Sequence, residues 1–583
     1  MIGDGDIVMK IRILAAFAGA LMLGGCHTVY EWFKPEPKSQ EAQIVPVVEA
    51  EPELSLAERA GAPLFEGMGD FHRTISTTSP DAQKYFNQGM VLSFGFNHAE
   101  SIRSFRAAQK LDPDCAMCFW GEALATGPNI NVTSKGKAVM SMADREAAYA
   151  AIQKAVALKD KATAQEQGLI DALAQRYSAD FNAERDPQDI AWAEAMGAYV
   201  AAHPEDDDAA AIYAEALMNT MPWNYWSADG SPKPETVKVI EALETIIKRS
   251  PNHPLALHLY LHAVEASDDP GRAEDEADRL LTLVPGSGHL VHMPAHIFWR
   301  VGRYDDAAKA NIQAAKVDED YIAQCNAQGF YPALYYPHNI HFLWAAAGMS
   351  GQSALTFEAA EKLAQNVRIE QIEEFPTIEF FKTIPLLSKV QFAKWEDILA
   401  LDTPPTDRDY SRGIWHYARG VALARTGDLK AAGAEQGMLA ALKDTVQIEF
   451  LDTNDYPASV LLNIADQLLL GEIAQAKGKD KEAIAHFEAA VSLQDTLPYT
   501  EPPFWYYPTR QSLGQALMKA KRYKEAEAVY RRDLKEHPHN GWSMAGLAGA
   551  LEKQGKKTEA MHLREHFEHV WMYADVEIDS SRL

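Results

Sequence analysis

Four cysteines in 583 residues are too few to staple a chain of this size. Its folding has to rest on a buried apolar core, which 47% apolar residues can supply. Basic runs are missing as well. Lys and Arg number 55 against 82 Asp and Glu, a formal net charge of −27. No cluster of cations offsets that field, which argues against a nucleic-acid partner. The one membrane-like stretch, IRILAAFAGALML from Ile11, falls short of the roughly 20 residues that a spanning helix needs. Catalytic templates are absent too: the chain has no G-x-S-x-G elbow, no Gly-rich phosphate loop downstream of residue 26, no CxxCH haem attachment and no HExxH.

What is present begins at that apolar run. Lys10 and Arg12 precede it, and it closes on Leu23, Gly24, Gly25 and Cys26, the charged, apolar and small-residue order of an export signal. The segment resembles a bacterial lipoprotein signal, which implies that Cys26 is lipidated. The Pro/Glu-rich stretch of residues 27–60 reads as a flexible tether. On that reading the body is membrane-anchored through lipid and lies on the periplasmic or cell-surface side of a bacterial membrane.

Beyond residue 80 the sequence repeats. Segments of one pattern start at Tyr85 (YFNQGMVLSFGFNHAESIRSFRAAQKLDPD), Trp415 (WHYARGVALARTGDLKAAGAE), Leu470 (LGEIAQAKGKDKEAIAHFEAA), Ser512 (SLGQALMKAKRYKEAEAVYRRDLKEHP) and Leu547. Small residues at fixed offsets let two helices of a hairpin approach, and large apolar ones fill the seam to the next hairpin. The chain resembles a tetratricopeptide repeat (TPR) protein. The resemblance implies an all-α fold, a right-handed superhelix of antiparallel helical hairpins, irregular in the middle. We divide it into N-terminal repeats with irregular aromatic loops (61–250), central repeats (251–370) and C-terminal repeats with a capping helix (371–583). The loops PNINVTSKG and MPWNYWSADGSPKP interrupt the first part, each following a helix with a central glutamate, Glu122 or Glu215.

The central repeats carry the chemistry. HLVHMPAHIFWR spaces His289, His292 and His296 three and four apart, on one helical face. In the family's register the first helix turns positions 2, 5, 9 and 12 to the concave surface. Taking Gly302 as the turn glycine puts the three histidines at positions 2, 5 and 9. The preceding unit, from about residue 254, sets His258, His262 and Glu265 at 5, 9 and 12. The following unit, with Gly351 at its turn, sets His338 and His341 at 2 and 5. Seven imidazoles and one carboxylate then share one stretch of groove, a ligand set suited to a transition metal. Copper or zinc leads, and iron or manganese stays open. We expect His258, His262, His292, His296 and His341 at the nucleus, with Glu265, His289 and His338 as further ligands or supporting partners. His416 falls on a packing position.

Aromatic segments would border such a site. Tyr331, Tyr335 and Tyr336 precede His338, while Glu501, Trp505, Tyr506 and Arg510 precede another first helix. They read either as a substrate rim or as plugs between hairpins, with Arg510 on a packing position. Cys115 and Cys118, spaced CxxC, read as a local disulfide, a stiffened helix start, or a redox or copper half-site. Two function classes follow. One is an exported metalloprotein, a carrier or an enzyme acting on a small or peptide-like substrate. The other is an interaction scaffold holding an envelope protein without metal. For the anchor, Cys26→Ser is expected to abolish labelling by a palmitate probe and to release the body from the membrane fraction.

Overall fold

The computed structural model describes residues 54–583 apart from 135, 228, 326–330 and 405. The signal, Cys26 and most of the expected tether lie outside these residues. Leu54–Leu583 forms one compact unit. Where the tether was expected to run to residue 60, Leu56–Ala60 is a short helix. Ser55 and Glu58 close a capping box at its start, which supplies partners to backbone N–H groups that the first turn leaves open.

Helices follow one another as antiparallel pairs, as in Pro80–Phe94 with His98–Leu111, Ala458–Ala476 with Asp480–Gln494, and Gly541–Lys553 with Lys557–Val570. Among the described residues the only sheet is a hairpin of two-residue strands, Thr133–Ser134 and Lys137–Ala138. The fold is therefore all-α. No described helix is long and apolar enough to cross a membrane.

One device recurs through the pairs. An aromatic ring on the second helix sits on a glycine of its own first helix, sixteen positions earlier, and on a small residue of the next first helix, sixteen later. Phe105 lies against Gly89 and Gly121, and Tyr530 against Gly514 and Gly546; Phe487 lies against Gly471. A Cβ at Gly514 or Gly546 would come within 2.3 or 2.4 Å of the Tyr530 ring, far inside contact distance. The ring therefore sets how closely successive helices approach.

The array also folds back on itself. Trp542 Nε1 donates to the Gly348 carbonyl at 3.0 Å, and the Asp575 carboxylate accepts from the N–H groups of Ser353 and Ala354 at 2.7 and 2.8 Å. Gly302 meets the Pro538 backbone. At the other end Arg73 holds Asp206 and Asp208 at 2.8 Å. These contacts bring the last repeats onto the central ones, so that residues 498–504 and the central first helices line one cavity.

Cys115 and Cys118 are joined in a disulfide at the start of helix Ala116–Thr126, with Cys115 Sγ capping the Cys118 N–H. Of the two echoing glutamates, both buried, Glu122 is paired with Arg106 and Gln109. At Glu215 loss of water raises the acid to about 7 against the nearby charge of Arg176.

Two outcomes follow from these packing contacts. Gly514→Ala is expected to destabilise the chain by about 1–3 kcal/mol through overpacking on Tyr530, read from the denaturant midpoint. For Glu215 the folded acid holds its proton to about pH 7 while the unfolded one releases it near 4.5. Its contribution is thus complete below pH 4.5 and lost as pH rises through 7. Glu215→Gln should remove that loss and stabilise the fold at pH 8 by up to about 3 kcal/mol, leaving pH 4 little changed, as thermal melts at the two pH values would report.

Candidate metal centre

Three first helices build the floor of the cavity. Pro254–Val264 starts on a proline at its first position, with His253 Nδ1 accepting the Ala256 N–H at 3.2 Å. Proline suits that position because its missing donor would have no partner there. Glu265 ends this helix. The next first helix is broken: Gly288–His292 and Pro294–Arg300 are separate segments. Pro294 has no N–H to give to Leu290, and its ring crowds that carbonyl. The third is Tyr336–Met349. The turn glycines that anchored the register, Gly302 and Gly351, both have left-handed backbone, φ 82° and 73°.

The histidines converge as two triads. Ring nitrogens of His258, His262 and His289 lie within 4.8 Å of one another, as do those of His292, His296 and His338. In the first triad His258 Nε2 is 3.1 Å from His289 Nε2. In the second, His292 Nε2 is 2.8 Å from His296 Nε2 and 3.1 Å from His338 Nε2. The break at Pro294 lies between His292 and His296, and His289, three residues before His292, serves the other triad.

Protein acceptors fix four of the imidazoles. His258 Nδ1 lies 2.6 Å from the Phe94 carbonyl, which can only accept. His292 Nδ1 lies 2.7 Å from Asn311 Oδ1, and the Asn311 amide is oriented by its own donation to the Ala307 carbonyl at 2.8 Å. His262 Nδ1 and His296 Nδ1 donate to the two oxygens of Glu265 at 2.8 and 2.5 Å. Each Nδ1 carries the proton, so each neutral ring turns a bare Nε2 inward. His262 Nε2, on a side chain 2% exposed, has no hydrogen-bond partner, and neither does His289 Nδ1.

Electrostatics follow from burial. Loss of water pushes His258, His289, His292 and His338 well below the ordinary imidazole range, and neighbouring imidazoles add to the effect. Burial lowers His262 too, with Glu265 opposing it. At His296 burial works against the proton, but the charge and hydrogen bond of Glu265 outweigh it and hold the ring above its usual value. Glu265, fully buried, would be raised by desolvation; His296 and His262 reverse this and keep it ionised. Glu501, 3.4 Å from His296 Nδ1, is pushed up by burial and by the Glu265 charge.

Above the floor lies a cavity of about 570 Å³. Its walls include Asn131, Trp223, Tyr335, Phe380, Phe381, Tyr499 and Phe504, and neither Lys nor Arg is among the described lining residues. Trp223 Nε1 donates to Asn131 Oδ1 at 3.2 Å, and Asn131 Nδ2 donates to Tyr335 Oη at 3.2 Å. The Trp223 and Tyr335 rings rest on His262 and His289, with centroids 5.2 and 4.9 Å apart. Tyr499 donates to Glu501 and, at 3.4 Å, to Glu265. Arg300 is held behind Tyr499 by the carbonyls of Glu265 and Ser267.

Several expected positions change. His341, expected at the nucleus, is not drawn into either triad: its ring stacks on Trp344 at 5.3 Å and meets Phe380 and Phe381, leaving His338 one turn earlier to face the floor. His289 and His338, expected at the edge, sit in the triads. Of the rim candidates only Tyr335 and Glu501 line the cavity. Tyr331 donates to Asp318 at 2.9 Å and Tyr336 to Glu319 at 2.8 Å, so both tie helices together. Trp505 packs on Tyr417, whose hydroxyl meets that of Tyr506 at 3.0 Å. Arg510 pairs with Asp495 and Glu536 at 2.7 and 3.0 Å. His416 is bonded to Glu435 at 2.6 Å, a packing role. Asn131, Trp223 and Tyr499 were missed as individuals; the two loops that break the repeat pattern carry the first two. Asn311 and the Phe94 carbonyl have no signature in the sequence.

No curated protein matches the sequence closely enough to be counted a relative. Solved structures similar to it include a human IFIT1 dimer with m7Gppp-AAAA (13% identity, 73% of this chain and 86% of the other, TM-score 0.30). Yeast Tom70 aligns at 12% identity over 82% and 89%, TM-score 0.25. A Cut9–Hcn1 hetero-tetramer of the APC/C aligns at 13% over 84% and 93%, TM-score 0.25. Likeness this slight says nothing about what this chain binds. Two models described as tetratricopeptide repeat match residues 467–496 and 512–563, on the helices where rings rest on glycines at sixteen-residue spacing. The chain is a tetratricopeptide repeat protein.

Proposed function

We propose that this chain is a metalloprotein of the repeat class, holding transition-metal ions on the histidines of the cavity floor and exposing them to a small molecule bound between the aromatic walls. One observation carries the reading: four imidazoles have their Nδ1 protons committed to protein acceptors, so their Nε2 lone pairs converge, and one of these, on His262, is buried without a partner. Converging bare nitrogens repel unless a cation lies between them. In the metal-free protein an Nε2–H on His289 or His338, or a proton on His296, can answer the contacts to His258 and His292, but none of them answers His262 Nε2.

Imidazole donors suit copper and zinc best, with iron also served and manganese less so. Glu265 supplies the supporting carboxylate that orients ring ligands and raises their basicity. A bound ion with an open position would act as a Lewis acid toward a molecule in the cavity. That molecule has an apolar face to meet the aromatic walls, and an anionic group on it would be met by the bound ion itself, since the described walls carry neither Lys nor Arg. Lipid anchoring through Cys26 belongs to the same proposal, and puts this chemistry in the bacterial envelope.

The repeats favour a second reading, a scaffold for an envelope protein or peptide, since stacked hairpins form concave binding surfaces. Against it, the groove positions here are buried: His258 and His292 are 0% exposed. Elemental analysis of protein purified without a histidine tag is the test. Copper or zinc at one equivalent or more is expected, falling sharply in His262→Ala and His296→Ala and unchanged in His416→Ala. Protein that stays metal-free after incubation with both ions overturns the metal reading in favour of the scaffold.

A further inference from the structure

Resting on the metal reading above, we infer that the floor is two metal sites side by side, one held by His258, His262 and His289 and the other by His292, His296 and His338. The grouping is geometric. Ligand nitrogens lie within 4.8 Å of one another inside each triad, and no histidine belongs to both. Two donors on one ion can be no more than about 4.2 Å apart, twice a metal–nitrogen bond. Six imidazoles surround one ion only as an octahedron with every pair of donors inside that span, whereas the nitrogens here fall into two separate threes.

The triads have the same plan. Each has a central imidazole, His258 or His292, backed by a neutral protein acceptor. Ring centroids lie 4.8 and 4.9 Å from His258 to His262 and His289, and 4.8 and 4.7 Å from His292 to His296 and His338. The outer rings of each triad stand wider, 6.1 Å for His262 with His289 and 5.8 Å for His296 with His338, as do the rings that face each other between triads, at 5.8 Å, so the division rests on the ligand nitrogens. The close Nε2 contacts of 2.8–3.1 Å need only open by a few tenths of an ångström to reach the roughly 3.3 Å edge of a tetrahedral site.

Glu265 couples the two. One oxygen accepts from His262 of the first site and the other from His296 of the second, so one carboxylate orients a ligand in each and places its charge between both cations. A third grouping of Glu265, His296 and Glu501 involves the Glu265 oxygen already taken by His296 Nδ1, and is a hydrogen-bonded cluster behind the second site. His262 and His289 line the cavity from the first site, and His296 and His338 from the second. Three ligands apiece leave each ion an open position. Both therefore present it to the same bound molecule, with Glu501 beside the second.

Metal-free full-length protein is titrated with Cu(II), counted by native mass spectrometry and followed by EPR. Two ions per chain are expected, with mutually broadened EPR signals because two Cu(II) centres this close couple through their dipoles. His289→Gln and His338→Gln, which leave the hydrogen bonds to Phe94, Asn311 and Glu265 in place, should each bind one ion with an unbroadened signal, and the double variant none, with circular dichroism checking the fold. If the parent binds a single ion with an unbroadened signal, the two-site assignment fails while the metal reading stands. If it binds none, both fail. Two ions retained in either single variant would overturn the division of ligands. Should a variant misfold, the copper count and signal broadening in the parent decide alone.

Discussion

A fully buried carboxylate with two imidazole partners is the constraint on which this cavity depends. Glu265 is 0% exposed and accepts from His262 in its own helix and from His296 in the next repeat. A lone buried carboxylate would be protonated or expelled; here His296 and His262 keep it charged. The interaction therefore fixes the register between two hairpins as well as the tautomer of two rings. Everything above it, from Trp223 and Tyr335 on the histidines to Tyr499 over Glu265, is arranged around that fixed point.

Most of the fold was legible because the repeat writes itself in small residues. Gly89, Gly471 and Gly514 stand where an aromatic sixteen residues later needs room, and Gly302 and Gly351 mark turns that only a left-handed backbone completes. From those anchors the helical face of His258, His262, Glu265, His289, His292, His296 and His338 follows by counting. His341 did not follow. Its position points toward the groove, but Phe380 and Phe381 arrive from an irregular stretch with no repeat register, and they claim the ring.

The cavity walls were legible only as disturbances. PNINVTSKG and MPWNYW break the pattern, and they supply Asn131 and Trp223 to the rim. Tyr331, Tyr336, Trp505 and Tyr506 look the same in sequence, yet each is used to join helices. What separates the groups is where the chain returns after many repeats, and no local spacing encodes that. The same holds for Asn311 and for the Phe94 carbonyl, an acceptor every residue possesses.

The segment from Pro498 to Phe504 has a consequence for assembly. Tyr499 and Glu265 are 234 residues apart in sequence, whereas an ordinary repeat touches only its neighbours. Synthesis completes the histidine floor long before the wall that covers it exists. Closing the cavity over the imidazoles therefore carries the entropic cost of a long-range contact. The last repeats are thus a door as much as a cap, and anything destined for the floor has its widest entrance before they dock.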